Sequence, residues 1–244
     1  MKKPIHLIIY SILVILLLTS PFWLWMLQGS KKLNMLIMDK TVPNQSYREH
    51  KGLVWVLNNM KFVKNSGQSY SASTDYQGFV PESGKKYSIA PTPKNLKPYD
   101  VYYLTDQYGV YNQEFYRTNP TGKSSSKIYG GLEDKDVDRL QNALLQTKGK
   151  TLIAEFNTFA SPTKDSAKEK ISNLLNLDWS GWTGRYFADL NSTEVPEWVK
   201  QEYQKQNQKW SFTGEGFVFV SKNNSIVVIS GKDMQDDGLN FHLT

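Results

Sequence analysis

The chain has 244 residues, no cysteine and three histidines, His6, His50 and His242. Apolar residues at 39%, aromatics at 13% and charged residues at 21% describe a globular protein, not a disordered one. Without cysteine there is no disulfide framework, no thiolate-bound zinc or iron–sulfur cluster and no thiol nucleophile, and three histidines leave little room for a multi-histidine metal site; the expectation is no cofactor and no resident metal.

The net charge of +6 comes from 29 basic and 23 acidic residues. Residues 1–32 hold four lysines and no acid, which leaves 25 against 23 in the rest. The body carries no dense basic cluster, so nucleic acid is not an expected partner.

Behind a short basic N-terminus (residues 1–4), residues 5–27 read IHLIIYSILVILLLTSPFWLWML, with no Asp, Glu, Lys or Arg. At about 1.5 Å per residue such a helix crosses a hydrocarbon core of roughly 30 Å. Trp23 and Trp25 lie near its end, where indoles favour the membrane interface. A cleaved signal peptide is the alternative, but the apolar run is long and its exit lacks an A-x-A pattern. The expectation is a single-pass anchor in the cell membrane. Lys2 and Lys3 argue for a cytoplasmic N-terminus against Lys31 and Lys32, which places the following domain outside.

Residues 33–244 are expected to form one α/β domain. Leu33 to Met38 is a strand ending at Asp39. Asn44 starts a helix through Lys61, with Tyr47, His50, Val54 and Leu57 on one face. Residues 64–98, rich in Ser, Gly, Pro and Tyr, read as an insertion or long loop with room for short strands. Asp100 to Asp106 is the next strand, and residues 112–131 a polar loop. Glu133, Asp134 and Asp136 open a helix whose buried stripe is Val137, Leu140 and Leu144, stopped by Lys148-Gly149. Thr151 to Phe156 is a buried strand, and Ser161-Pro162 reads as the cap and first turn of the next helix. The alternation predicts a three-layer, doubly wound, mainly parallel sheet. Gly216–Val220 and Ser225–Ile229 form a hairpin at the edge of that sheet or in its centre.

Ligands of open α/β sheets gather at the strand C-termini. Three predicted strands finish there with a carboxylate: Asp39, Asp106 and Glu155. Together they could bind a cation, activate water or accept sugar hydroxyls; separately, each Asp could simply cap a loop or helix, and Glu155 could pair with an arginine. His50 could pair with Asp39, either as a catalytic unit or as a satisfied structural residue. The segment from Trp179 to Asp189 combines Trp179, Trp182 and Arg185 with two glycines, and Tyr108 sits in a comparable turn. Indole and phenol faces stack on sugar rings, and a guanidinium fork grips carboxylate or phosphate; the same aromatics could equally close a core. Motifs for dinucleotide or phosphate loops, for an α/β-hydrolase nucleophile and for a zincin helix are absent.

From Tyr129-Gly130-Gly131 to Gly184-Arg185 the chain resembles the class I glutamine-amidotransferase-like superfamily. The likeness lies in a strand ending near Asp106, a Gly-Gly turn, a helix led by Glu133 and Asp134, Lys148-Gly149-Lys150, and the apolar strand to Glu155. It implies a flavodoxin-like sandwich. It does not imply amidotransfer, because active members use a cysteine nucleophile that this chain lacks. The chain also resembles membrane-anchored proteins of Gram-positive bacteria. The expected function is a tethered domain that binds a cell-envelope ligand, a glycan, without turning it over. The alternatives are an envelope carbohydrate hydrolase using rim carboxylates, and a structural subunit of a membrane complex with an unknown protein partner.

Overall fold

The computed structural model describes residues 5–206 and 209–231; His242 lies outside them. Its first element, α1 (Ile5–Leu27), is one unbroken helix with no side chain buried by the rest of the chain. It is long and apolar enough to cross a membrane. Pro21 lies inside it and cannot donate to the carbonyl of Leu17. Ser20 Oγ donates to that carbonyl instead, at 2.7 Å, so the helix passes the proline with the acceptor satisfied.

The elements that follow are β1 (Lys31–Lys32), β2 (Met35–Asp39), α2 (Arg48–Asn59), β3 (Phe62–Val63), β4 (Gln77–Pro81), β5 (Tyr87–Ala90) and β6 (Val101–Leu104). Next come β7 (Val110–Tyr111), α3 (Asn112–Tyr116), β8 (Lys127–Tyr129), α4 (Asp134–Gln146), β9 (Thr151–Ala154) and α5 (Asp165–Leu175). The described chain closes with β10 (Trp182–Phe187), α6 (Glu197–Gln206), β11 (Gly216–Ser221) and β12 (Ile226–Ser230).

The central sheet has the order β5-β4-β2-β6-β9. β2 pairs in parallel with β4 and β6, β6 pairs in parallel with β9, and β5 returns antiparallel on β4. The two-residue period of β2 and β6 separates the faces. Leu36, Met38, Tyr102 and Leu104 point to one side, where Val137, Leu140 and Ala143 of α4 and Ala167 and Ile171 of α5 cover them. Met35, Ile37, Val101 and Tyr103 point to the other, where α2 contributes Val54 and Leu57. This second layer is narrow: on β9, Ile153 remains 41% exposed.

The region 64–98 is part of this sheet. It supplies β4 beside β2, and the contact is close because Gly78 has φ +142° against the Asp39 carbonyl. Residues 112–131 also hold structure, with α3 and the β7–β8 ladder around Phe79, Val110 and Phe115. The Ser161–Pro162 bond is cis and lies ahead of α5, whose first residue is Asp165. The predicted cap therefore belongs to the preceding turn.

The largest correction concerns the C-terminal hairpin. β11 and β12 form the expected antiparallel pair, but they join β10 in a separate three-stranded sheet. The aromatic segment expected as turns is the outer strand of that sheet. A core of its own lies beneath, built from Phe187, Leu190, Val195, Val199, Trp210, Val218 and Ile226. The loop after α3 ties this lobe to the first: Glu197 N–H donates to the Thr121 carbonyl at 2.7 Å and Trp198 N–H to that of Gly122 at 3.3 Å.

Candidate functional site

Asp39, Asp106 and Glu155 all lie at the C-terminal edge of the central sheet, as the alternation of elements requires. The chain leaves β2 toward α2 on one face and β6 toward α4 on the other. The loops after β2 and β6 therefore diverge, and a crevice opens between them.

The bottom of this crevice is cross-linked by its own side chains. Lys40 N–H donates to the Asp106 carbonyl at 2.9 Å. Thr41 Oγ1 donates to Asp106 Oδ1 at 3.0 Å and accepts the Gly109 N–H at 2.7 Å. Asp106 Oδ1 also accepts the Tyr108 N–H at 2.7 Å, which makes a short turn that lifts the Tyr108 ring to the rim. Gln107 Nε2 donates to the Met38 carbonyl at 2.8 Å.

Asp39 and His50 form the expected pair, with Oδ2 and Nδ1 2.5 Å apart and both side chains fully buried. The other ring nitrogen, Nε2, lies 2.7 Å from the Ala72 carbonyl and must carry hydrogen, because that carbonyl only accepts. Asp39 Oδ1 accepts the Thr41 N–H. Neither residue offers an atom to a ligand. Their role is to fasten α2 and the 70–76 loop to the end of β2.

Glu155 stands apart for a reason visible in the strand period. It shares the face of Ile153 and Tyr103, and Tyr103 Oη donates to its Oε1 at 2.9 Å. Burial raises the Glu155 carboxyl above the usual range, against the lowering effect of the Tyr103 hydrogen bond; the charges of Asp106, Asp39 and Glu49 raise it further. Burial and this same carboxylate push the Tyr103 phenol up to about 12.

A cleft of about 570 Å³ opens above Asp106, lined by Thr41, Arg48, Glu49, Tyr108, Glu114 and Arg117 among others. Burial raises the Glu114 carboxyl, and the Asp106 charge adds to the effect; Arg48 and a backbone hydrogen bond with Tyr111 oppose it. Tyr108 packs against Tyr111 with ring centroids 4.8 Å apart. Its phenol is raised by burial first, then by Tyr111, Glu114 and Asp106.

A second cavity, about 260 Å³, lies between the two lobes. Trp179, Arg185, Phe187, Trp198 and Val218 help to line it. Tyr108 and Asn157 line both cavities. The two spaces thus share one phenol and one amide in their lining. Arg185 lies 4.6 Å from the Phe187 ring and 3.4 Å from Glu194. Trp182, at the start of β10, is exposed and is not among the lining residues; its carbonyl accepts the Trp179 indole N–H at 2.9 Å.

Of the residues singled out from sequence, Asp106, Tyr108, Trp179 and Arg185 therefore line one or both of these adjacent cavities, whereas Asp39, His50, Glu155 and Trp182 do not. Arg48, Glu49, Glu114 and Arg117 were missed. Arg48 and Glu49 start a helix read only for its buried stripe, and Glu114 and Arg117 lie in a stretch read as polar loop.

Lys40 was missed for a different reason. Its Nζ is buried and donates to Asp136 Oδ2 at 2.7 Å and to the Gly131 carbonyl at 2.8 Å. Asp136 also accepts Thr92 Oγ1 and completes the capping box of α4 with Glu133. Among the described residues no group of three His, Asp or Glu side chains is placed to hold a metal ion. Comparisons with family profiles, curated proteins and solved structures found no match.

Proposed function

We propose that the chain is a membrane-tethered binding module whose two adjacent cavities take a glycan of the cell envelope. One observation carries this reading: a cleft with charged walls and an aromatic cavity lie side by side and share Tyr108 and Asn157 in their lining. A sugar presents hydroxyl edges and a C–H face to its binding site. Arg48 and Arg117 donate to hydroxyls, Asp106 and Glu49 accept from them, and Tyr108, Trp179 and Trp198 offer rings for the flat face. Three carboxylates against two guanidiniums in the cleft favour a neutral polyol over a phosphate-rich ligand.

The tether is α1, with the domain on the extracytoplasmic side, where such glycans are found. Strand order β4-β2-β6-β9, with α2 and α4 on opposite faces, supports a doubly wound, flavodoxin-like body and the amidotransferase-like resemblance.

One observation favours hydrolysis as a second reading. Burial and Asp106 hold the Glu114 carboxyl above its usual range, as a general acid requires. In that reading Glu114 joins Asp106 as the working pair, and Asp39 and Glu155, the other two rim acids, take no part.

Titrating the full-length protein with soluble N-acetylated and neutral oligosaccharides, followed by mass spectrometry of the recovered sugar, separates the two. Binding with intact sugar supports the module. Cleavage that stops in Glu114→Gln supports the hydrolase. Absence of binding across the panel overturns both.

A further inference from the structure

The outer face of α2 carries a feature that neither the core nor the cleft uses. His50, Val54 and Leu57 form the buried stripe, so Trp55 lies on the opposite side of the helix. It is 66% exposed; Val56, at 42%, follows it around the helix, and Met60, at 50%, lies one turn beyond Val56. A large indole at the centre of a solvated helix face gains nothing from burial.

This patch adjoins the end of α1. Trp25 Nε1 donates to the Asn59 carbonyl at 2.5 Å. Lys61 Nζ donates to the carbonyls of Met26 and Gln28, both at 2.8 Å, and lies 4.7 Å from the Trp25 ring centroid. These are carbonyls at or just past the C-terminus of α1, so an ammonium there also complements the helix dipole. Only residues 28–30 separate α1 from β1, and β1 is paired with β3. The end of the anchor is thus clasped by the turn that follows α2.

Trp55 is one helical turn from Asn59, about 6 Å along the axis, and the interfacial layer of a bilayer is roughly 5–8 Å deep. Lys31, Lys32 and Lys51 are exposed nearby, and residues 5–38 contain no acid. We propose that the C-terminal half of α2 with its capping residue, through Trp55, Val56 and Met60, lies in the headgroup layer of the bilayer that α1 crosses. The domain is then held against the membrane at a fixed tilt and does not swing on its tether. The cleft residue Glu49 stands near the other end of α2, about 9 Å along the axis from Trp55. The proposal rests on reading α1 as a membrane span.

The absence of cysteine makes the test direct. Single variants Val56→Cys, Met60→Cys, Leu16→Cys and Asn173→Cys, all at exposed positions, carry an environment-sensitive fluorophore. Each full-length protein is reconstituted in mixed phosphatidylcholine–phosphatidylglycerol vesicles. Nitroxide lipids labelled near the headgroup, or deep in the acyl chain, act as quenchers. Labels at Val56 and Met60 are expected to be quenched by the shallow nitroxide at least about twofold more than the label at Asn173, on the opposite face of the sheet. Leu16 should respond to the deep nitroxide. Deep quenching at Leu16 without shallow quenching at Val56 or Met60 overturns the proposal and leaves the anchor standing. Labels at Val56 shielded from water yet untouched by lipid quenchers indicate a protein cover and also overturn it. If Leu16 escapes the deep nitroxide, the anchor reading fails and the proposal with it.

Discussion

The Lys40–Asp136 pair offers the sharpest perturbation of the site's framework. The two side chains are only 5% and 3% exposed, so water screens neither charge. Asp136→Ala leaves the Lys40 ammonium with the Gly131 carbonyl and the face of Tyr129, whose ring centroid is 5.5 Å away. Breaking a buried pair from one side costs about 3–5 kcal/mol, because the partner charge stays buried. Asp136 Oδ2 also accepts the Glu133 N–H at 3.4 Å at the start of α4, and losing that cap adds about 1 kcal/mol. The sum, about 4–6 kcal/mol, is a large share of the 5–15 kcal/mol that typically holds a domain together. At roughly 2–4 °C per kcal/mol for a domain of this size, the melting temperature should fall by about 8–24 °C. Lys40→Met should cost less, about 3 kcal/mol, because Asp136 keeps Thr92 Oγ1 and the Glu133 N–H. The double variant Lys40→Met/Asp136→Leu removes both charges and should recover at least about 2 kcal/mol relative to Asp136→Ala. The assay is thermal and urea unfolding of the full-length protein in detergent, followed by near-ultraviolet circular dichroism. A loss below about 1.5 kcal/mol for Asp136→Ala, or a double variant no better than the singles combined, refutes the reasoning.

Three further outcomes follow from the same geometry. Gly78→Ala would place a Cβ 1.7 Å from the Asp39 carbonyl oxygen at φ +142°, so β4 must separate from β2. A loss of at least about 3 kcal/mol in thermal unfolding is expected, and a stable variant contradicts the sheet register. Thr41→Val leaves the buried Gly109 N–H without its acceptor and should cost about 1–3 kcal/mol, whereas Thr41→Ser should be near neutral; equal losses would contradict the assigned bonds. Glu155 has a folded-state pKa above its ordinary value of 4.5, so its protonated form stabilises the fold below that pH. That contribution is lost as pH rises through the raised value. Glu155→Gln stays neutral and still accepts from Tyr103, so its urea midpoint should gain on the parent between pH 4.5 and 7.5; a constant difference would contradict the shift.

Much of the central body was legible because its signals are local. His50, Val54 and Leu57 mark α2 by spacing, Glu133 and Asp136 announce α4, and the ends of β2 and β6 follow from apolar runs stopping at carboxylates. β4 was obscured because it contains Gly78 and ends at Pro81, both of which weaken a strand pattern. The second sheet was hidden by distance. Trp182 pairs with Ser221, and no local rule says whether a hairpin joins the main sheet or recruits another strand. Lys40 and Asp136 are 96 residues apart and each, alone, resembles a surface charge. Within the site, Asp106 and Tyr108 were found because a strand end places them. Asp39 and His50 were found for chemistry and prove to be struts, since every polar atom of the pair is engaged.

The proposed glycan site would seat a sugar ring on Tyr108, which lines both cavities. Saturation-transfer NMR with the full-length protein and soluble envelope-type oligosaccharides, on the parent and on Tyr108→Ala and Trp179→Ala, tests it most directly. The account predicts saturation of the sugar C–H face in the parent and about tenfold weaker binding in each variant, equivalent to about 1.4 kcal/mol. Binding that survives both substitutions unchanged, or no saturation for any sugar offered, contradicts it.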